Sequence, residues 1–291
     1  MSLLGAAWLR RVGLAIRTAN PDLYAKLNAA RKALIVRGHD VEAYQLEAVE
    51  SFQRRFPIAG KRILEVGADS GMRVMRMLRG WGASEVIGIN PSRTIWDGQP
   101  TKEIRLDDSV RLLDAGACQI PFDDASFHAV FSVATFEHII GLDKALAEMR
   151  RVLRPGGVIF SSFGPLWSAG KGHHVNAHAE GIEVHHHDPA TNPLPDFSHL
   201  LLGREEMRLS LDKIVHPSIV GPIVEWVFEC SEINRLFHYQ YMAEFAASGL
   251  RLLSVHPQCD PVASQVRRIL AFRYPAEQHF EVTNLEVMLG R

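Results

Sequence analysis

An α/β protein built around an open, mostly parallel sheet is the fold class this 291-residue sequence predicts. Three observations predict it. The apolar run Arg62-Ile63-Leu64-Glu65-Val66 ends in a glycine turn at Gly67. A stretch with Val74, Met75, Leu78 and Trp81 on one helical face follows, and a second apolar run, Val86-Ile87-Gly88-Ile89-Asn90, begins four residues after Gly82. Strand, helix and strand within about 30 residues make a βαβ unit, the minimal nucleotide-binding half of a doubly wound sheet.

Ahead of that unit the chain reads as helical. In the first 20 residues Leu3, Leu4, Trp8, Leu9 and Leu14 can share one stripe, while Arg10 and Arg11 interrupt the apolar run. That predicts a short helix packed on the domain rather than a cleaved leader. Residues 22–56 predict two helices, the second carrying Leu46, Val49, Phe52 and Phe56 at helical spacing and stopped by Pro57-Ile58-Ala59-Gly60. After the βαβ unit, residues 127–133 read as a strand. Leu142, Ala145, Leu146, Met149, Val152 and Leu153 form an amphipathic helix. Arg154-Pro155-Gly156-Gly157 stops it and feeds a strand at Val158-Ile159-Phe160.

Residues 163–232 break the alternation, being rich in Pro, Gly and His, with helical pattern near 204–214 and 219–230. A helix through Tyr239 to Ser248, a strand at 250–255 and a last strand at 284–289 return to it. The organisation expected is an N-terminal helical cap (1–60), a ligand-binding core (61–162), a His-rich lid insert (163–232) and the C-terminal part of the core sheet (233–291).

Composition excludes several classes. Apolar residues make 47% and charged residues 22%, ordinary for a soluble globular chain. Lys and Arg total 32 against 33 acids, a net charge of −1. Nothing in that balance provides a basic footprint for nucleic acid. Cys118, Cys230 and Cys259 are odd in number and lack a CxxC spacing, so they read as free thiols in a reducing, cytoplasmic setting. No apolar run is long enough to span a membrane.

Ligands of a parallel sheet bind at the carboxyl ends of its strands. Glu65-Val66-Gly67-Ala68-Asp69-Ser70-Gly71 stands at such an end, with two glycines that let backbone approach a ligand. Four blocks then match one family in order and spacing: ILEVGADSG, VIGIN, IPFDDASFHAVFSVATFEHI and LRPGGVIFSS. Over 62–162 the chain resembles the class I S-adenosylmethionine-dependent methyltransferases.

The resemblance implies a Rossmann-like, seven-stranded, mostly parallel sheet with helices on both faces. It implies S-adenosylmethionine as cofactor and S-adenosylhomocysteine as product. Glu65, Gly67, Ala68, Asp69 and Gly71 would form the glycine-rich turn, and Asn90 would hold the ribose. Ala117 and Cys118 would line the adenine, Ser132 and Thr135 would lie under the methionine part, and the pair Glu137-His138 would shape the pocket. The chain departs from the pattern at Asp69, where the family commonly has glycine, and at Asn90, where it has an acid. It departs again at Gly116, where the family commonly has an acid and Asp114 here is displaced by two.

Of the 14 histidines, His173, His174, His178, His185, His186, His187 and His199 lie between positions 173 and 199 of the insert. A histidine suits the removal of a proton from a hydroxyl acceptor. His173 and His174 follow the fifth strand of the family pattern, where the acceptor should sit, and are the expected catalytic residues. A metal held by this cluster is the less favoured reading, since no fixed ligand spacing appears. The activity expected is methyl transfer to a small molecule, most readily the oxygen of a sugar, phenol or other secondary metabolite. A binding or scaffold protein that kept the fold is the alternative, and a metal-dependent enzyme a further one. A homodimer is compatible with all of these.

Overall fold

The structure, a computed structural model, describes Lys26, residues 40–99 and residues 101–291. Apart from Lys26, the helices expected within the first 39 residues therefore lie outside the described residues.

Described elements begin with α1 (Ala43–Arg55), β1 (Arg62–Val66), α2 (Arg73–Gly80), β2 (Glu85–Ile89), α3 (Arg93–Trp96), β3 (Glu103–Asp107) and β4 (Val110–Leu113). They continue with β5 (Phe127–Val133), α4 (Leu142–Val152), β6 (Leu153–Phe163), β7 (Asn176–Ala179) and β8 (Ile182–His185). The rest are α5 (Ser198–Leu201), α6 (Arg204–Leu211), α7 (Pro217–Glu229), α8 (His238–Ala247), β9 (Arg251–Cys259), α9 (Ser264–Arg273) and β10 (Val282–Gly290).

One sheet has the order β3-β4-β2-β1-β5-β6-β10-β9. β4, β2, β1, β5 and β6 run parallel, while β10 is antiparallel to both β6 and β9. The sheet has eight strands rather than the seven expected, because β3 adds antiparallel to β4 at the edge. The turn between them is held by Asp107, whose Oδ1 accepts from Ser109 N at 2.7 Å and Val110 N at 2.9 Å. Such an Asx turn needs no apolar pattern to form.

Successive strand residues face opposite sides of the sheet, and both sides are covered. Ile63, Ala129, Phe131 and Phe160 pack with Leu46, Val49 and Phe52 of α1 and Val74, Met75 and Leu78 of α2. The Phe52 ring lies 5.4 Å from both Phe131 and Phe160. The α1 helix is thus part of the main core. Leu64, Val130 and Ile159 face the other way, toward Leu146 and Met149 of α4 and Tyr241 and Phe245 of α8.

The Arg154-Pro155-Gly156-Gly157 stretch lies inside β6, not before it. It is accommodated as an irregularity between the pairs Phe127↔Leu153 and Ala129↔Val158. Within 163–232, Val175, Val184, Met207, Leu211, Ile219 and Ile223 make a core of their own. Its β7–β8 hairpin turns on Glu180 and Gly181, with φ of 50° and 78°, the pattern of a two-residue hairpin turn. No helix among the described residues is long and apolar enough to cross a membrane.

Candidate functional site

The carboxyl ends of β1, β2, β4 and β5 meet around residues 67–72. Gly67 has φ +87°, and a Cβ there would overlap the Thr135 side chain, with Thr135 Cβ at 2.8 Å. Only glycine fits this turn. Its N–H donates to Ile89 O at 2.9 Å, tying the turn to β2, and Ala68 is fully buried behind it. A Cβ on Gly71 would stand 2.9 Å from Asp69 Oδ1, so the turn is tight at both glycines.

Two buried acceptors in this turn have no hydrogen-bond partner, Glu65 Oε2 and Asp69 Oδ1. The other Asp69 oxygen meets Arg73 Nε at 3.3 Å. Glu65 is 2% exposed, and burial, with the Asp69 charge adding to it, pushes its carboxyl up to about 8. An unmatched buried carboxyl is costly unless a ligand supplies donors or positive charge. Glu65 and Asp69 therefore fit a ligand carrying hydroxyls and a cationic group, as S-adenosylmethionine does.

Other expected residues are placed less simply. Asn90 is already bonded at both ends: its Nδ2 donates to Ala68 O at 2.9 Å and its Oδ1 accepts from Ser92 N at 2.8 Å. A ribose would have to compete for it. Ser132 is fully buried and spends its hydroxyl on Val66 O at 3.0 Å, bracing β5 to β1. Thr135 bonds Val133 O at 2.9 Å and walls Gly67. Ala117 is half-buried and Cys118 largely exposed, with partial desolvation of its thiol and the Asp143 charge pushing its pKa up.

The two neighbouring histidines differ sharply. Val175 N donates to His173 Nδ1 at 3.0 Å, so the basic nitrogen of a neutral His173 is occupied. The residue is fully enclosed, and burial holds its basicity well below the usual histidine range. This corrects the expectation of His173 as proton acceptor. His174 is the reverse. Its Nδ1 bonds Gly172 O at 2.8 Å, which requires the proton there and leaves Nε2 as a free base, buried and without a partner. Burial lowers its pKa to about 3.

His174 belongs to a cluster with Glu137 and His138, in which one ligand atom from each lies within 4.8 Å of the others. Glu137 is 2% exposed, accepts from Gly164 N at 3.1 Å through Oε1, and has Oε2 unpartnered. Burial raises its pKa. His138 is exposed, with Nδ1 on Glu232 O at 2.8 Å. The ring of His186 stands 5.0 Å from that of His174.

Partial burial of the Tyr44 phenol on α1, with the nearby charge of Glu42, raises its pKa. Nothing in its sequence neighbourhood marked it, whereas Glu137 stood in the quoted Glu-His pair.

A cavity of about 240 Å³ is lined by Lys171, His186, Asp196, Phe197, Val262 and Phe280 among others, and reaches the cluster through His186, whose ring is the one near His174. A larger hollow of about 440 Å³ surrounds Arg62, Phe122, Asp123 and Ser126. It lies at the amino ends of β1 and β5, away from the glycine turn, so the smaller cavity is the relevant one.

A family model described as a methyltransferase domain matches residues 64–161. The tRNA U34 carboxymethyltransferase of Pseudoalteromonas translucida is 36% identical over 102 residues, covering 35% of this chain and 31% of that protein. The malonyl-[acyl-carrier protein] O-methyltransferase of Xylella fastidiosa is 30% identical over 128 residues, covering 44% and 42%. The chain thus spans less than half the length of these curated relatives. A solved Listeria monocytogenes structure, assigned to the S-adenosylmethionine-dependent methyltransferases, aligns with a TM-score of 0.50 at 15% identity. It covers 86% of this chain and 99% of that one, a likeness of fold.

Proposed function

We propose that this chain, whose residues 64–161 are a class I S-adenosylmethionine-dependent methyltransferase domain, methylates an oxygen of a small polar molecule. The observation that carries the reading is the glycine turn with its two unmatched buried acceptors, Glu65 Oε2 and Asp69 Oδ1. They would take donors and positive charge from the cofactor, with Gly67, Ala68 and Gly71 giving its backbone cradle and Ala117 and Cys118 flanking it. When bound, S-adenosylmethionine supplies a sulfonium methyl that is displaced in line by a nucleophile.

The acceptor would enter through the cavity beside His186 and meet Glu137, His138 and His174. Release of its proton is assigned to that cluster; in the simplest form His174 Nε2 accepts it directly. A base of low pKa always offers its lone pair at neutral pH, but it gains the proton only as the acceptor's charge develops. Most of the acceleration would come from alignment. Residues 163–232, with their own apolar core, would act as a lid that excludes water.

A small acceptor is supported by two features. The cavity is small, with Lys171, His186, Asp196 and Asp260 standing among apolar residues in its wall, and the balance of 32 basic against 33 acidic residues gives no general attraction for polyanions. The relatives are named for acceptors as different as tRNA and an acyl-carrier-bound malonyl group. Transfer of a labelled methyl group to a panel of sugars, phenols and hydroxy acids, with tRNA as comparison, tests the assignment. Label on tRNA alone would overturn it.

A further inference from the structure

We propose that Glu137, His138 and His174 bind one divalent first-row transition ion, of the zinc, iron(II) or manganese class, at the carboxyl end of β5. The site's existence is argued from geometry; its role rests on the methyl-transfer reading above.

Each of the three side chains has one polar atom tied to the backbone. Glu137 Oε1 accepts from Gly164 N at 3.1 Å, His138 Nδ1 donates to Glu232 O at 2.8 Å, and His174 Nδ1 donates to Gly172 O at 2.8 Å. Each is left with one outward donor: Glu137 Oε2, His138 Nε2 and His174 Nε2. The first and last are buried and have no partner. Backbone carbonyls that fix the imidazole tautomer and turn the other nitrogen inward are the usual outer shell of a metal site.

No hydrogen bond within the cluster reaches Glu137 Oε2 or His174 Nε2. The two imidazoles carry their protons on Nδ1, so both Nε2 atoms are acceptors. An ionised Glu137 Oε2 is an acceptor as well. With Glu137 ionised, one ligand atom from each residue lies within 4.8 Å of the others, close enough for a shared cation to join them. A metal about 2.1 Å from each would draw them to roughly 3–3.5 Å apart, a movement of about 1 Å. His174 holds φ +46°, a strained conformation for a residue with a Cβ and one that concentrates at functional sites.

Two imidazoles and a carboxylate suit zinc, iron(II) or manganese; magnesium and calcium prefer all-oxygen shells. Three protein ligands leave a position open. That position would take the acceptor's hydroxyl oxygen and lower its pKa, so that the proton leaves to solvent. The oxygen lone pair would then form the C–O bond as the C–S bond breaks, leaving a neutral thioether. His174 serves as a ligand in this form, and not as the base.

The test is titration of the full chain with Co²⁺, read by its visible ligand-field bands, alongside a titration with S-adenosylhomocysteine on the same sample. The expected result is saturation at one equivalent of Co²⁺. His138→Ala, at an exposed position, and His174→Asn, which tolerates the left-handed backbone, should each weaken Co²⁺ by more than about 100-fold, beyond the usual loss of an outer-shell partner. Circular dichroism and melting curves identify any variant that has lost its fold. Absent bands in protein that binds S-adenosylhomocysteine would overturn the metal site, as would bands unchanged by both variants. Normal Co²⁺ binding without S-adenosylhomocysteine binding would uphold the site and overturn the methyl-transfer role.

Discussion

Replacing Glu65 by Gln tests whether the glycine turn holds an unmet demand for positive charge. Glu65 is 2% exposed and its pKa stands at about 8 against an ordinary 4.5. At about 1.4 kcal/mol per pH unit, that displacement corresponds to roughly 5 kcal/mol. The unfolded chain releases this proton near pH 4.5, whereas the folded chain keeps it to about 8. Between those values the folded state binds one proton more, so stability falls as pH rises and levels off above about 8. Gln has no proton to lose. Its advantage over the wild type should therefore be negligible near pH 4.5 and grow toward roughly 5 kcal/mol at the top of the window. Urea unfolding of both proteins at several pH values from 5 to about 8.5 measures this directly. Parallel profiles, with a constant difference between the two proteins, would refute the reasoning.

Gly67→Ala should lower S-adenosylhomocysteine affinity by more than about 10-fold and cost at least about 1 kcal/mol, because its Cβ overlaps Thr135 at a positive φ; calorimetry and melting check both. Asn90→Asp should destabilise by about 1–3 kcal/mol, since the donor to Ala68 O becomes an acceptor facing an acceptor; denaturant midpoints read this. His173→Ala should lower the melting temperature while leaving S-adenosylhomocysteine affinity unchanged, whereas His174→Asn should cut turnover by about 10²-fold or more. Equal effects of the two on turnover would remove the distinction drawn between them. Phe131→Ala should cost about 3–5 kcal/mol in denaturant unfolding, as it empties the stack between Phe52 and Phe160.

The central strands were legible because both their faces are buried. Residues 63–66, 86–89 and 129–133 are apolar runs that end at turn residues, and the helices between them carry one clean face. β3 was not legible: Glu103-Ile104-Arg105-Leu106-Asp107 is an edge strand with mostly exposed side chains, formed by a side-chain turn at Asp107. α9 was hidden similarly, since Leu270 is its one fully buried residue. The β7–β8 hairpin escaped because its strands are four residues long and carry histidine.

At the site, Gly67 and Glu65 could be read from the motif. The different bonding of His173 and His174 could not, because a single left-handed residue sends neighbouring rings to different partners. The meeting of Glu137 with His174, 37 positions apart, depends on how the insert folds back over β5.

The central claim is that the turn after β1 binds S-adenosylmethionine. Calorimetric titration of the full chain with S-adenosylmethionine and S-adenosylhomocysteine at pH 7, in two buffers of different ionisation enthalpy, tests it most directly. The account predicts micromolar binding, about −8 kcal/mol, with release of close to one proton as the cofactor's charge draws Glu65 into its ionised form. No binding of either compound would contradict it.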